Sequence, residues 1–258
     1  LAACAASFTI LPAPATADAP PKPLKALLVL GGCCHDYANQ QNLLKKGIEA
    51  PAHVLVPIEY TADKTTKARF PIYEKPDWSV GYDVVIHDEC SSDVKDLPYV
   101  QNILAPHRAG LPAVNLHCAM HSFRVETDDW FKYIGLQSAR HGPQKPIDVS
   151  YIDRGHPVLQ GLENWTTVNE ELYNNLKLFD TARPLARGKQ DTGKALDDYV
   201  VVWTNQYEKG RVFSTTLGHN NDTVADPRYL DLVTRGLLWS CDKLNDTYLK
   251  PVPKEAPK

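Results

Sequence analysis

Leu24–Leu30 reads Leu-Lys-Ala-Leu-Leu-Val-Leu, a nearly unbroken apolar run closed by Gly31-Gly32. A strand with one wet face alternates; a run that is apolar on both parities needs cover on both sides. That is the position of a central strand in a parallel sheet. Similar runs recur at His53–Ile58, Tyr82–His87 and Pro112–Leu116, and helix candidates at Asn39–Ile48 and Leu97–Ala109 lie between them. Strands and helices alternating at this length predict an α/β fold, a doubly wound and mostly parallel sheet with right-handed crossovers. Thr61–Asp77, polar and carrying Pro71 and Pro76, reads as a loop or lid.

Beyond Leu116 the pattern loosens. Trp130–Leu136 is amphipathic, and Asp148–Ile152 alternates like an edge strand. Tyr199–Trp203 and Arg211–Leu217 flank Asn205–Gly210 as a β-hairpin with a longer turn. Asp226-Pro227 reads as an N-cap with proline at the first helical position, and Leu230, Val233, Leu237 and Cys241 share one face of the helix that follows.

The 258 residues, 43% hydrophobic and 23% charged, suit one large domain, expected over 24–245. A net charge of −3 with no Lys/Arg run argues against a nucleic-acid partner, and no apolar stretch reaches membrane-spanning length. Residues 1–23 are expected to be the remnant of a signal peptide, ending at Ala15-Thr16-Ala17, plus an extended proline-rich lead-in, so the protein is expected to be exported, periplasmic or extracellular. Leu1-Ala2-Ala3-Cys4 also fits a lipoprotein box, ranked second because apolar residues continue to Leu11. Residues 246–258 are expected to form a flexible tail. Loss of Cys4 with the signal leaves five of the six cysteines, an odd number that argues against a disulfide scaffold but leaves room for a single bridge.

Chemically able residues gather where the strands are expected to end: His35 and Asp36, Asp88 and Glu89, His117 to His121, and His219 to Asp222. In a parallel sheet these ends converge on one rim, where ligands sit. His117 and His121, at i and i+4, would share a face if their turn continues as a helix; they read as metal ligands or an acid/base pair, against a bland role in satisfying the turn. His35, His117, His121 and His219 form the candidate metal set, with zinc a suitable divalent ion and no nucleotide cofactor implied. His117, His121, His219, Glu171 and Cys118 are the candidate catalytic groups. His35, Asp36, Glu89, Tyr173 and Asn220 are the candidate substrate contacts. Asp36 is equally a helix N-cap, one of Glu170 and Glu171 a solvated charge, and Cys118 a small buried residue. Cys33-Cys34 reads as a tight turn or a redox pair, and Cys90 with Cys118 as a bridge between neighbouring strand ends. His53, His107 and His156 read as structural, and the tryptophans as core.

Several ordered pieces together resemble a known family: Gly31-Gly32 with His35-Asp36, Asn115-Leu116-His117-Cys118, Gly155-His156-Pro157-Val158 with Gly161-Leu162, Glu170-Glu171-Leu172-Tyr173, and Gly210-Arg211-Val212-Phe213 with Thr215-Thr216-Leu217-Gly218-His219. From about Leu24 to Trp239 the chain resembles the trehalose-utilisation (ThuA-like) family. The resemblance implies a fold like the class I glutamine amidotransferases and a role in bacterial carbohydrate catabolism, with a small-molecule sugar or keto-sugar as partner. In such a fold Cys118 stands at about the nucleophile elbow, but the Gly-x-Cys-x-Gly frame and a downstream His-x-Glu pair are absent. The expected function is therefore a sugar isomerase, lyase or hydrolase using histidines and carboxylates, with metal assistance as an option. An exported, non-catalytic carbohydrate-binding protein is the alternative, and a cysteine-dependent amidotransferase or peptidase ranks third.

Overall fold

A computed structural model describes residues 19–251. The signal-peptide and lipoprotein expectations fall on residues 1–18 and lie outside the described residues. In chain order the elements are β1 (Leu24–Gly32), α1 (Tyr37–Glu49), β2 (Val54–Leu55), β3 (Ile58–Thr61), β4 (Val84–Cys90), α2 (Leu97–Arg108), β5 (Ala113–Leu116), α3 (Asp129–Ile134), β6 (Leu136–Gln137), β7 (His141–Lys145), β8 (Asp148–Tyr151), β9 (Trp165–Thr166), β10 (Glu170–Tyr173), β11 (Lys177–Leu178), β12 (Ala182–Asp191), β13 (Leu196–Tyr207), β14 (Gly210–Thr215), α4 (Asn221–Ala225) and α5 (Pro227–Ser240).

The main sheet runs β2, β1, β4, β5, β14, β13, β12, β8, β9, with β3 also paired to β1. From β2 and β3 across to β14 every pairing is parallel; from β14 onward every pairing is antiparallel. The fold is a mixed, mostly parallel α/β sandwich of flavodoxin-like type, as expected. Two core layers follow from strand alternation. In β1, Leu24, Ala26, Leu28 and Leu30 pack under α1 and α5, while Leu27 and Val29 pack on the opposite face with α2 and α3.

Several elements differ from expectation for identifiable reasons. The expected strand His53–Ile58 is two short ones, because Pro57 has no N–H to give to the ladder although its carbonyl still accepts from Leu28 N–H at 2.9 Å. Asp148–Tyr151 is not an edge strand: it lies between β12 and β9. The hairpin turn is only Glu208-Lys209, with Glu208 left-handed at φ 51°, so β13 continues through Tyr207. The long strand β12 carries no clear apolar period, so the sequence does not mark it as a strand. The expected tail is held as far as Lys250: His53 N–H donates to Tyr248 O at 2.8 Å and Lys250 N–H to Pro51 O at 2.7 Å. The α5 start is as read, with the Asp226 carboxylate accepting from Arg228 N–H and Pro227 in the first turn. Among the described residues, no helix is long and apolar enough to cross a membrane.

β1 connects to β2 and β3 on one side and the chain then crosses to β4 on the other, so the order of strand addition reverses at the β1/β4 boundary while the strands stay parallel. The carboxyl ends there form the crevice in which open α/β sheets bind ligands.

Candidate functional site

Four chain segments bring one ligand atom each to that crevice. His35 follows β1, His117 opens the 3-10 turn after β5, His219 follows β14, and Glu171 comes from β10; their ligand atoms all lie within 4.8 Å of one another. Backbone geometry sets the first three. Gly32 has φ 100°, and a Cβ there would stand 2.2 Å from Cys90 O, so only glycine lets the chain leave β1 this close to β4. His117 is itself left-handed at φ 37°, which turns its ring off the strand line into the crevice. Gly218, at φ 119°, leads into His219, and a Cβ there would stand 2.7 Å from the Tyr229 hydroxyl.

The rings are anchored from behind. His117 Nδ1–H donates to Thr216 O at 2.7 Å, and His35 Nδ1–H is shared between Cys33 O and the Tyr37 hydroxyl at 3.1 Å each. Both therefore present Nε2 to the crevice. His35 Nε2 is buried without a hydrogen-bond partner. His117 Nε2 accepts from the Tyr173 hydroxyl at 3.1 Å. Glu171 Oε2 lies 3.3 Å from His219 Nδ1, and 3.6 Å from both His117 Nε2 and His141 Nε2. Its Oε1 accepts from the Gln144 amide at 3.1 Å, which also contacts His219 Nε2 at 2.9 Å.

The electrostatics match this packing. Burial, with His117 and His219 close by, depresses His35 to about 2, so it is neutral. Burial pushes the Glu171 carboxyl up, but His117 and His219 beside it outweigh burial and hold it below the usual carboxylate range. The Glu171 carboxylate raises His219 against the opposing effect of burial.

Glu170, one residue from Glu171, is fully buried and organises the loop behind the site: its two oxygens accept from His219 N–H at 3.1 Å and Asn220 N–H at 2.9 Å. The expectation that one of the pair is a solvated charge is therefore corrected. Asn220 caps α4 through Asp222 N–H rather than facing the crevice. Asp36, at the N-cap position of α1, makes no side-chain cap bond and instead accepts from Asn221 Nδ2 at 2.8 Å. With His35 and Cys34 it lines a cavity of about 390 Å3 that also includes Tyr60, Thr61, Asp63 and Lys64.

His121 does not join the group. Its i, i+4 relation to His117 assumed an α-helix, but His117–His121 is a 3-10 turn, whose tighter winding splays the two rings. His121 stacks on Tyr173 (4.0 Å, 6°), bonds to Ser138 Oγ at 2.9 Å, and is depressed to about 3 by burial. It supports Tyr173, which supports His117. Glu89 is also away from the rim. Successive residues of β4 point to opposite faces, so Asp88, whose carboxyl burial raises well above its usual value, lies on the Tyr37 side. Glu89 lies in the other layer, 2.9 Å from His87 Nδ1.

Cys118 is disulfide-bonded to Cys90, and Cys33 to Cys34, so the described cysteines hold two bridges rather than one, with Cys241 free. In this state Cys118 has no thiol to act as a nucleophile. Gln144 and His141 are site residues that the sequence does not single out, and Glu170, weighed there together with Glu171, holds the His219 loop instead. The adjacent Glu170-Glu171 pair beside an aromatic was the available signal; Gln144 offered none.

The chain matches the family model described as ThuA, trehalose utilisation, over residues 35–240. No curated protein matches it. Among solved structures it is similar to a ThuA-like protein from Parabacteroides merdae (TM-score 0.71, 20% identity, 92% of this chain and 95% of that one). It is also similar to a ThuA-like protein from Bacteroides uniformis (TM-score 0.65, 16% identity, 88% and 94%). A third likeness is to one part of a cold-adapted β-galactosidase from Rahnella sp. R3 (TM-score 0.54, 13% identity, 85% of this chain and 31% of that one). At these identities the structural likeness speaks to the fold. The family match, which spans most of the chain and contains His35, His117, Glu171 and His219, makes this protein a member of the ThuA, trehalose-utilisation, family.

Proposed function

We propose that this chain is a carbohydrate-processing enzyme in which His35, His117, His219 and Glu171 hold a divalent cation such as zinc and act on a sugar bearing a carbonyl. The observation that carries this reading is the convergence of four ligand atoms within 4.8 Å, one of them, His35 Nε2, buried without a partner. Three imidazole nitrogens and one carboxylate oxygen suit zinc. Ligating histidines commonly give their other N–H to a backbone carbonyl, as His35 and His117 do here. When bound, such a cation supplies Lewis acidity toward a sugar carbonyl or a water.

The rest is the work of the chain's own side chains. Gln144 fixes the Glu171 carboxylate and His219 together. His141, with its side chain 42% exposed and Nε2 3.6 Å from Glu171 Oε2, stands on the open side of the group and is the residue placed to exchange a proton with substrate. Removal of a proton beside a carbonyl serves isomerisation or elimination. The cavity beside His35, about 390 Å3 with polar and aromatic walls, suits a sugar-sized ligand. The two disulfides suit an oxidising compartment and so support export.

The test is metal analysis of protein purified without chelator or polyhistidine tag, with His117→Ala alongside, followed by turnover of a panel of keto-sugars and ordinary glycosides. Near-stoichiometric metal that is lost in His117→Ala, with turnover lowered by His141→Gln, is the expected result. Failure of the wild-type protein to retain or take up zinc overturns the metal reading. Tight sugar binding with no turnover of any member of the panel would leave a carbohydrate-binding protein.

A further inference from the structure

The two disulfides lie against each other. Cys33 is bonded to Cys34, Cys90 to Cys118, and Cys33 Sγ stands 3.5 Å from Cys90 Sγ. Both of those sulfurs are already in disulfides, so neither carries a hydrogen and the approach is a sulfur–sulfur contact. The four sulfurs thus form one file, Cys34, Cys33, Cys90, Cys118, running from the end of β1 across β4 to the elbow after β5. Access is one-ended. Cys34 is exposed and opens on the cavity beside His35, whereas Cys33, Cys90 and Cys118 are 9%, 3% and 4% exposed. An external thiol therefore reaches the buried bridge only by way of the outer one.

We propose that this file is a thiol–disulfide exchange site that takes an external dithiol at Cys34 and passes the exchange inward to Cys118. One thiolate of the dithiol attacks Cys34 Sγ; a bond forms between them, the Cys33–Cys34 bond breaks, and Cys33 leaves as thiolate. Cys33 then attacks the neighbouring Cys90 Sγ, forming Cys33–Cys90, breaking Cys90–Cys118 and releasing Cys118 as thiolate. The second thiol of the dithiol attacks the mixed disulfide at Cys34 and closes a cyclic disulfide, freeing Cys34. The dithiol is oxidised by two electrons, two protein disulfides become one, and the protons lost by the dithiol end on Cys34 and Cys118. The product ties the β1 turn to β4 and unties the elbow that carries His117. The exchange thereby connects an oxidation state to the position of a site histidine.

The experiment is cysteine mapping on the folded full chain. Thiols present at the start are blocked with iodoacetamide. Dithiothreitol is added in graded amounts up to one equivalent, new thiols are trapped with N-ethylmaleimide, and linked peptides are identified by mass spectrometry. Maleimide on Cys34 and Cys118 together with a Cys33–Cys90 cross-link is the expected result. Maleimide on Cys33 and Cys34 with Cys90–Cys118 intact overturns the proposal. Cys34→Ser is the second arm, because it leaves Cys33 with no outer partner. The proposal requires that variant to hold a Cys33–Cys90 bond and a free Cys118 without any added reductant; retention of Cys90–Cys118 with a free Cys33 refutes it. Should that variant not fold, Cys33→Ser replaces it, and dithiol-dependent labelling of Cys118 must then disappear.

Discussion

Two histidine clusters sit at opposite depths of the same sheet. At the rim, His35, His117 and His219 surround Glu171. In the layer under α2 and α3, His87 from β4 and His107 from α2 meet Glu89 and Tyr73. The inner cluster closes on itself. His107 Nδ1–H donates to Leu111 O at 2.9 Å, the two Nε2 atoms are 3.1 Å apart, and His87 Nδ1 faces Glu89 Oε1 at 2.9 Å with the Tyr73 hydroxyl 3.1 Å away. Trp130 and Tyr133 pack edge-on against His87, and Glu89 Oε2 is the one side-chain atom of this inner group that is buried and unpartnered. At the rim the N–H groups of His35 and His117 are anchored behind, and the lone pairs converge. A count of histidines does not separate these clusters. The direction of the unshared pairs does.

The sharpest way to break this contrast is to remove one residue from each. His35→Ala should abolish stoichiometric zinc retention while lowering the urea midpoint less than Glu89→Ala does, since His35 is half-buried, loses only its Nδ1 bonds to Cys33 O and Tyr37, and has no partner at Nε2; metal analysis and urea unfolding read the two effects. Glu89→Ala should do the reverse. It leaves the buried His87 without the carboxylate that bonds its Nδ1, and an unsatisfied buried polar group costs about 1–3 kcal/mol. Equal stability losses in the two variants would erase the distinction drawn here.

A pH series sharpens it. Burial, with His87 beside it, depresses His107 to about 3 from its ordinary 6.5. Between those values the unfolded chain binds the proton and the folded chain does not, so stability falls as pH drops through that window, by up to about 1.4 kcal/mol per pH unit. Urea unfolding at pH 7, 5 and 4 should show the loss, and His107→Gln should lessen it by the His107 share, with His35 and His121, also depressed by burial, supplying the rest. A wild-type midpoint that stays level down to pH 4 would contradict a neutral, enclosed His107.

The smallest effect concerns Tyr173, whose hydroxyl occupies the His117 lone pair that a cation needs. A hydrogen bond of this kind contributes about 0.5–1.5 kcal/mol. Tyr173→Phe should therefore tighten zinc binding by up to about tenfold, measured by competition with a chromophoric chelator. Weakened binding would mean that the hydroxyl supports the liganded state instead.

Three of the four rim residues, His35, His117 and His219, were legible because each follows a recognisable strand with glycine or a turn close by. Glu171 was visible as a chemically able residue but not as their partner, since β10 is a short strand outside the main sheet and nothing local says where it packs. His121 misled because spacing along the chain measures direction only once the helix type is known. Glu89 misled because strand parity separates it from Asp88, and parity cannot be assigned to a face until the covering helices are placed.

What the sequence by itself determined is the parallel half of the molecule: buried apolar runs, intervening amphipathic helices, and polar strand ends that a parallel sheet must place on one rim. Those are local patterns with fixed periods, and burial of apolar surface enforces them. Tertiary structure alone decided which nitrogen each histidine presents, that Glu170 holds the His219 loop, and that the Cys33 and Cys90 sulfurs lie 3.5 Å apart. These depend on pairings across tens to hundreds of residues, set by packing to fractions of an ångström, for which the one-dimensional chain carries no local signal.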